Sequence, residues 1–383
     1  MISKFVTVYP GHIDLPDHGR DATPANERHY SNEMLATVFE KTEAVAKVMD
    51  QGGWDTLWLA EHHFQPEGYE VIPNLLMMAV HLAHLTKNLK TGCGFNVAPM
   101  WHPLRMAEDY AVADILTKGR TVFGVARGYH TREVETFGAP MLDQEANREL
   151  FEEQVEIIFK AFREERFSHK GKHYTLPPAV PYRGYELKDI TLVPRPIHSL
   201  ETWQPIVSAS QRAMDFMIKY DIKGMVGGGA ATMAEGPIQA YQAAANRAGK
   251  DFVLGENLGV GIFFTLAKTK EEAVARMRPL YEEHVKMFAP LNFVPGISPA
   301  GVNATMKRGS WYDEGVPTLE HFMATGAWFA GTPDELVARV AQMQERYPGM
   351  EHVNLSTPLT TPKAMMVEQL QWVSEAVMPH FRR

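Results

Sequence analysis

The sequence contains one cysteine, Cys93, which excludes an intrachain disulfide and fits a reducing compartment. It has no run of five or more Lys or Arg, and its formal net charge is −8. Without a positive field there is little to draw the chain to phosphate backbones or anionic lipid, so nucleic acid and membrane are set aside as partners. No stretch approaches the roughly 18 uninterrupted apolar residues of a transmembrane helix. The stretch MISKFVTVYPGHIDLPDHGR has too short an apolar run for a signal peptide, and a cytoplasmic protein is expected. No GxSxG elbow is present, and Cys93 sits in an apolar strand where a thiol is inert, which argues against nucleophilic hydrolysis.

Short apolar runs alternate with longer amphipathic ones, the pattern of βαβ units around a parallel sheet. Eight runs read as strands: FVTVY (Phe5 to Tyr9), TLWLA (Thr56 to Ala60), LKTGCGF (Leu89 to Phe95), RTVFGVA (Arg120 to Ala126), PIVSAS (Pro205 to Ser210), KGMVG, NLGVGIFFTLA and HVNLS (His352 to Ser356). A helix or an insertion follows each. Helices are expected over Asn32–Gln51, Asn74–Leu85, the segment HPLRMAEDYAVADILTKG, Asn147–Phe162, Met233–Gly249, Glu271–Ala289 and Pro362–Val377. Eight such units, with no long linker and no second nucleotide fingerprint, predict an α/β fold of the (β/α)8 TIM-barrel type in one domain over 1–383. Insertions are expected after strand 4, as a hairpin-like segment over 167–199, and before strand 8, where the Pro/Gly/Asn-rich 290–317 suits a lid or a disordered surface excursion.

In such barrels the chemistry lies at the C-terminal ends of the strands. Glu61, His62 and His63 follow the second strand directly and should reach that face. Neighbouring side chains on an extended chain point to opposite sides, so His62 and His63 cannot share a metal ion, HExxH is absent, and no metal is expected. His81 and His84 read as packed or surface histidines, and His169 and His173 are given no role. GMVGGGAA (Gly224 to Ala231) lacks the lysine of a phosphate loop, and GTPDEL (Gly331 to Leu336) reads as a capping box whose acidic first turn repels anions.

Arg127 follows the fourth strand, where its guanidinium suits an anion or a loop carboxylate. Ser208 and Ser210 open a helix, where they suit a phosphate or a simple N-cap.

Taken in order, AEHHF, PMWHPLRMAEDYAVADILTKGR, FGVARGYHTREVETFG and VSAS resemble the bacterial luciferase-like flavin-dependent monooxygenases. The likeness is close over Gly52 to Gly138 and looser at Pro205 to Tyr220 and Trp328 to Val340. It implies a barrel that takes reduced FMN from a separate flavin reductase, reacts it with dioxygen through a flavin peroxide, and oxygenates a small organic substrate; the apolar and aromatic pocket content makes that substrate hydrophobic. By position, His62 matches the family's catalytic histidine, Arg127 a residue gripping the FMN phosphate and Ser210 a phosphate-binding serine. Ala209 and Ala213 stand where the family has a glutamate and a threonine, so Ser208 or Arg212 are candidate replacements as phosphate donors. Gly94, Phe95 and Asn96 match the place where the family often has a non-proline cis peptide against the flavin, with Asn96 available either to the ring edge or simply to cap the turn. Phe64 and Phe95 are expected to keep the site dry, and His62 to exchange a proton near its ordinary pKa. Glu61 and His63 read as supporting residues. The apolar helix PNLLMMAVHLAHL and the AVADIL stretch, together with the resemblance, point to a homodimer or heterodimer. Two other readings stand beside the monooxygenase: a deazaflavin-dependent reductase or dehydrogenase on the same barrel, and a non-catalytic flavin-binding partner subunit, against which His62 argues.

Overall fold

Short runs of β-branched and aromatic residues bounded by glycines and polar turns favour buried strands, and in this chain eight of them close into a barrel. The computed structural model describes residues 1–227, 231–309 and 311–381, without the side chains of 231–234. Gly228, Gly229 and Ala230 of the glycine-rich stretch lie outside the described residues. The barrel strands are β1 (Lys4–Tyr9), β2 (Thr56–Leu59), β3 (Lys90–Cys93), β4 (Thr121–Ala126), β5 (Thr202–Ile206), β6 (Lys223–Val226), β7 (Leu258–Leu266) and β8 (His352–Ser356). Each pairs in parallel with the next, and β8 returns to β1 with Lys4 opposite His352. The helices between them are α1 (Asn32–Gly52), α2 (Leu75–Leu85), α3 (Pro103–Thr117), α4 (Gln144–Arg163), α5 (Gln211–Tyr220), α6 (Ala231–Arg247), α7 (Lys270–Phe288), α8 (Pro333–Arg346) and α9 (Lys363–Trp372). This is the (β/α)8 barrel that the alternation predicts.

Inward-facing Val6, Trp58, Val122, Trp203 and Met225 fill the barrel as one cluster, with Phe95 and Val8 against it. Trp58 and Trp203 meet edge to face with centroids 5.7 Å apart, a favourable aromatic geometry. That filling needs a bare backbone on β4. A Cβ on Gly124 would lie 1.7 Å from the carbonyl oxygen of Cys93.

Helix starts follow their capping chemistry. Ser31 and Asn74 accept from the backbone amides of Met34 and Met77 at the starts of α1 and α2. Thr332 and Glu335 form the expected capping box at α8.

Two places differ from the sequence reading. The fifth strand begins at Thr202 and ends at Ile206, so Val207 to Ser210 form an exposed turn rather than its second half. The buried pair Thr202 and Trp203 sets that register, pairing with Phe123 and Gly124 of β4. A further strand, Trp328–Gly331, extends the sheet beside the upper half of β7.

The insertion after β4 contains two small antiparallel ladders, His169–Lys170 with Thr175–Leu176 and Pro181–Tyr182 with Tyr185–Glu186. The segment before Trp328 carries the short helices Pro299–Thr305 and Leu319–Thr325, and its buried Val294, Trp311 and Val316 pack with Met277, Tyr281 and Val285 of α7.

Candidate active site

The chain leaves β2 at Leu59 and within three residues delivers His62 to the C-terminal rim, 5% exposed. Both oxygens of Glu133, on the short helix Thr131–Val134, lie 3.2 Å from His62 Nδ1, and the same carboxylate accepts from the His63 amide. On the other side of the ring, Nε2 lies 3.3 Å from the Tyr129 hydroxyl and 3.3 Å from Glu70 Oε2. His130 Nε2 also lies 3.3 Å from Glu70 Oε2, and the Gln65 amide bridges Glu70 and Glu133.

These charges set the proton affinities. Burial pushes the His62 pKa down, but Glu70, Glu133 and Glu61 outweigh it and hold the imidazole above its ordinary value. Burial raises Glu133, yet His62, His130 and the His63 amide pull it to about 2. The expectation that His62 titrates near its ordinary value is therefore corrected: three carboxylates favour the imidazolium.

Beside this group the Gly94–Phe95 peptide is cis, at the position singled out by the sequence. Phe95 packs on Trp58 with centroids 5.9 Å apart. Asn96 takes the structural one of its two expected parts. Its amide donates to Glu61 Oε2 and its oxygen accepts from the Tyr110 hydroxyl, so both ends are held within the protein. Glu61 also accepts from the Val97 amide, Trp101 Nε1 and His63 Nε2, a buried carboxylate that pins the turn behind the cis bond. Phe64 differs from its expected part. It has a φ of +58° and stacks outward on Phe137 at 5.5 Å, half exposed. The aromatic ring over the histidine group is Tyr129, which meets Phe293 of the 290–317 segment at 5.0 Å.

Arg127 leaves β4 on the same rim. Its guanidinium is half-buried and makes one bond, at 3.4 Å to the carbonyl of Gln144. Burial and the neighbouring Arg148 both push its pKa down, since two like charges disfavour each other. Among the described residues neither Arg127 nor Arg148 is in a salt bridge. Gly128, with φ +83°, keeps the turn close to Val97 and Val134; its bare backbone serves loop packing.

Arg212, a candidate phosphate donor, is bound instead to Glu145 and Glu152. Ser208 and Ser210 are exposed, and Ser210 precedes α5 without its side chain capping the helix. Its hydroxyl and the first amides of α5 are left for another acceptor or donor.

Of the residues singled out by sequence, the rim gathers His62, Gly94, Phe95, Arg127, Ser208 and Ser210. It adds Glu70, Glu133, His130, Tyr129 and Arg148. His130 and Glu133 stood in the quoted GYHTREVE stretch, but nothing in their spacing says that they meet a loop about seventy residues earlier. Cys93 is buried, with its thiol pushed up to about 12, in line with an inert core residue.

The closed parallel barrel thus carries a buried histidine group and a half-buried pair of arginines on its C-terminal rim, the face on which enzymes of this fold place their chemistry. The model for the luciferase-like monooxygenases matches residues 15–348, and the chain belongs to that family. It is 32% identical over 140 residues to the alkanal monooxygenase alpha chain of the Kryptophanaron alfredi symbiont, covering 37% of this chain and 38% of that one. It is 28% identical over 151 residues to the oxygenase component of the flavin-dependent trigonelline monooxygenase of Acinetobacter baylyi, covering 39% and 41%. The chain thus spans about two fifths of the length of the curated relatives it matches. Among solved structures, the fold is shared with the oxygenating constituent of the 3,6-diketocamphane monooxygenase of Pseudomonas putida, in complex with FMN. The TM-score is 0.73 and the identity 18%, with 99% of this chain and 98% of that one covered. No helix among the described residues is long and apolar enough to cross a membrane.

Proposed function

We propose that the protein is the oxygenase component of a two-component flavin monooxygenase, which takes reduced FMN from a separate reductase and oxygenates a small hydrophobic organic molecule. The observation that carries this reading is the pair of guanidiniums, Arg127 and Arg148, half-buried on the catalytic rim and, among the described residues, without a salt-bridge partner. Glu145 and Glu152 act on Arg127 from nearby but are both bonded to Arg212, so an anion between Arg127 and Arg148 would relieve their mutual repulsion, and a phosphate takes bidentate bonds from arginine. Ser210 and the uncapped start of α5 would supply further donors to the same group.

Bound FMN would supply the chemistry of dioxygen activation, which no side chain here offers. The chain's part is placement and protection. Arg127, Arg148 and Ser210 would hold the phosphate end, while the Gly94–Phe95 turn, braced by Glu61, would support the ring. His62 has its Nδ1 fixed by Glu133, which leaves Nε2 to hold or pass a proton at the reacting end. Tyr129 with Phe293 would close the mouth against water, and the 290–317 segment would act as the lid. Substrate polarity follows from that aromatic cover. The exposed apolar residues of α2 and α3 would join two subunits.

The test is to mix the protein anaerobically with reduced FMN and then admit air. Slowed flavin reoxidation, with His62→Ala retaining FMN affinity while turnover collapses, is the expected result. Selective binding of a deazaflavin in place of FMN would overturn the oxygenase in favour of a hydride-transferring enzyme, and unchanged turnover in His62→Ala would remove that residue from the chemistry.

A further inference from the structure

The histidine group has a second property that its geometry carries alone. His62 Nε2 and His130 Nε2 each lie 3.3 Å from Glu70 Oε2, and the three atoms lie within 4.8 Å of one another. Zinc-type bonds of about 2.0–2.1 Å in a tetrahedron put neighbouring donors about 3.3 Å apart. The spacing of the two edges through Glu70 therefore equals that of a metal polyhedron. The Tyr129 hydroxyl lies 3.3 Å from His62 Nε2 and 3.4 Å from Glu70 Oε2, beside two of the three donors.

We propose that His62, Glu70 and His130 form a three-ligand site for a divalent transition cation of the zinc class, and that its occupancy blocks the histidine that the oxygenase needs.

The state of His130 supports this. The residue is 7% exposed and its Nε2 is buried in this cluster, where its contact to Glu70 Oε2 at 3.3 Å does not meet hydrogen-bond geometry. Buried polar atoms are rarely left so. The surroundings are those of a ligand set. Glu133 fixes His62 Nδ1, so the lone pair of Nε2 faces the site, as in carboxylate–histidine–metal arrangements, and Gln65 anchors Glu70. Two imidazoles and one carboxylate suit Zn2+, Co2+, Ni2+ or Cu2+ and are a poor set for Mg2+ or Ca2+. On binding, each Nε2 donates its lone pair to the cation and any proton there leaves to water. His62 Nε2 can then no longer carry a proton.

The effect on turnover rests on the oxygenase reading; binding does not. The test uses the whole chain, stripped with a chelator and titrated with Co2+, whose visible bands report tetrahedral ligands, and with Zn2+ by calorimetry. One equivalent is expected to bind, with tetrahedral cobalt bands, and His130→Ala and Glu70→Gln each to weaken zinc binding by about 100-fold. Unfolding midpoints near that of the native chain show that the variants are folded, and His130→Gln replaces the alanine variant should that one fail. Absence of tetrahedral bands, or zinc binding unmoved by both substitutions, overturns the site. A metal-binding chain that takes no FMN would keep the site and remove the proposed function; an active oxygenase that binds no cobalt would do the reverse.

Discussion

At the corner between β4 and α4 the side chain of Arg127 lies beside that of Arg148, and burial together with that neighbour lowers its pKa. Keeping such a pair costs stability unless a ligand offsets it. In the proposed FMN complex each guanidinium contributes a charge-assisted contact of about 2 kcal/mol. Arg148→Ala should therefore weaken FMN binding roughly 30-fold, by fluorescence quenching, and raise the unfolding midpoint of the free protein or leave it unmoved. Unaltered FMN affinity would place the phosphate elsewhere. The sequence identified Arg127 because it directly follows a strand. Arg148 stands in the second turn of a helix rich in charge, ANRELFEE, where it reads as one more solvated residue. Its meaning comes only from what it faces. The same holds for Glu70, which has no motif of its own and gains its place from two histidines that arrive from different strands.

Among the elements, strands whose register is fixed by a continuous apolar run were legible: TLWL, TVFGVA and HVNLS are buried almost throughout. The fifth was displaced because its first half, TWQ, mixes polar and aromatic residues, while VSAS imitates a strand end. Burial of Trp203 against Trp58 decided between them. Glycines inside strands were the other illegible feature, since a sequence does not tell which backbone another chain segment touches. On β4 that contact is severe. A methyl at Gly124 would meet the Cys93 carbonyl at 1.7 Å and the Phe95 ring at 3.0 Å. Neither partner yields easily, because Cys93 is in β3 and Phe95 is packed on Trp58. Gly124→Ala should cost about 3 kcal/mol in urea unfolding, with loss of FMN binding, because the same shift displaces the Gly94–Phe95 turn. A loss under about 1 kcal/mol would mean that β3 and β4 separate freely there.

For the molecule as a whole, one face of the helical ring keeps apolar side chains that the barrel does not use. Met77 of α2 is 72% exposed and Leu116 of α3 is 52% exposed, with Val112 and Phe39 also in the open. α1, α2 and α3 pack side by side, so these side chains stand on neighbouring helices around the first third of the barrel. Scattered singly such residues need no explanation, but gathered on adjoining helices they are the kind of surface that a partner would cover. In the proposed dimer they would form the centre of the interface. A second copy would offer the same apolar surface about a twofold axis. Sedimentation velocity at micromolar concentration should give a dimer, and Val112→Glu combined with Leu116→Glu should weaken association at least about 100-fold, since two carboxylates would be buried unpaired against their own copies. The substitutions lie on the outside of the ring and should leave the unfolding midpoint of the isolated subunit unchanged. A native chain that sediments as a monomer would assign this face to a different subunit, the heterodimer that the sequence also allows.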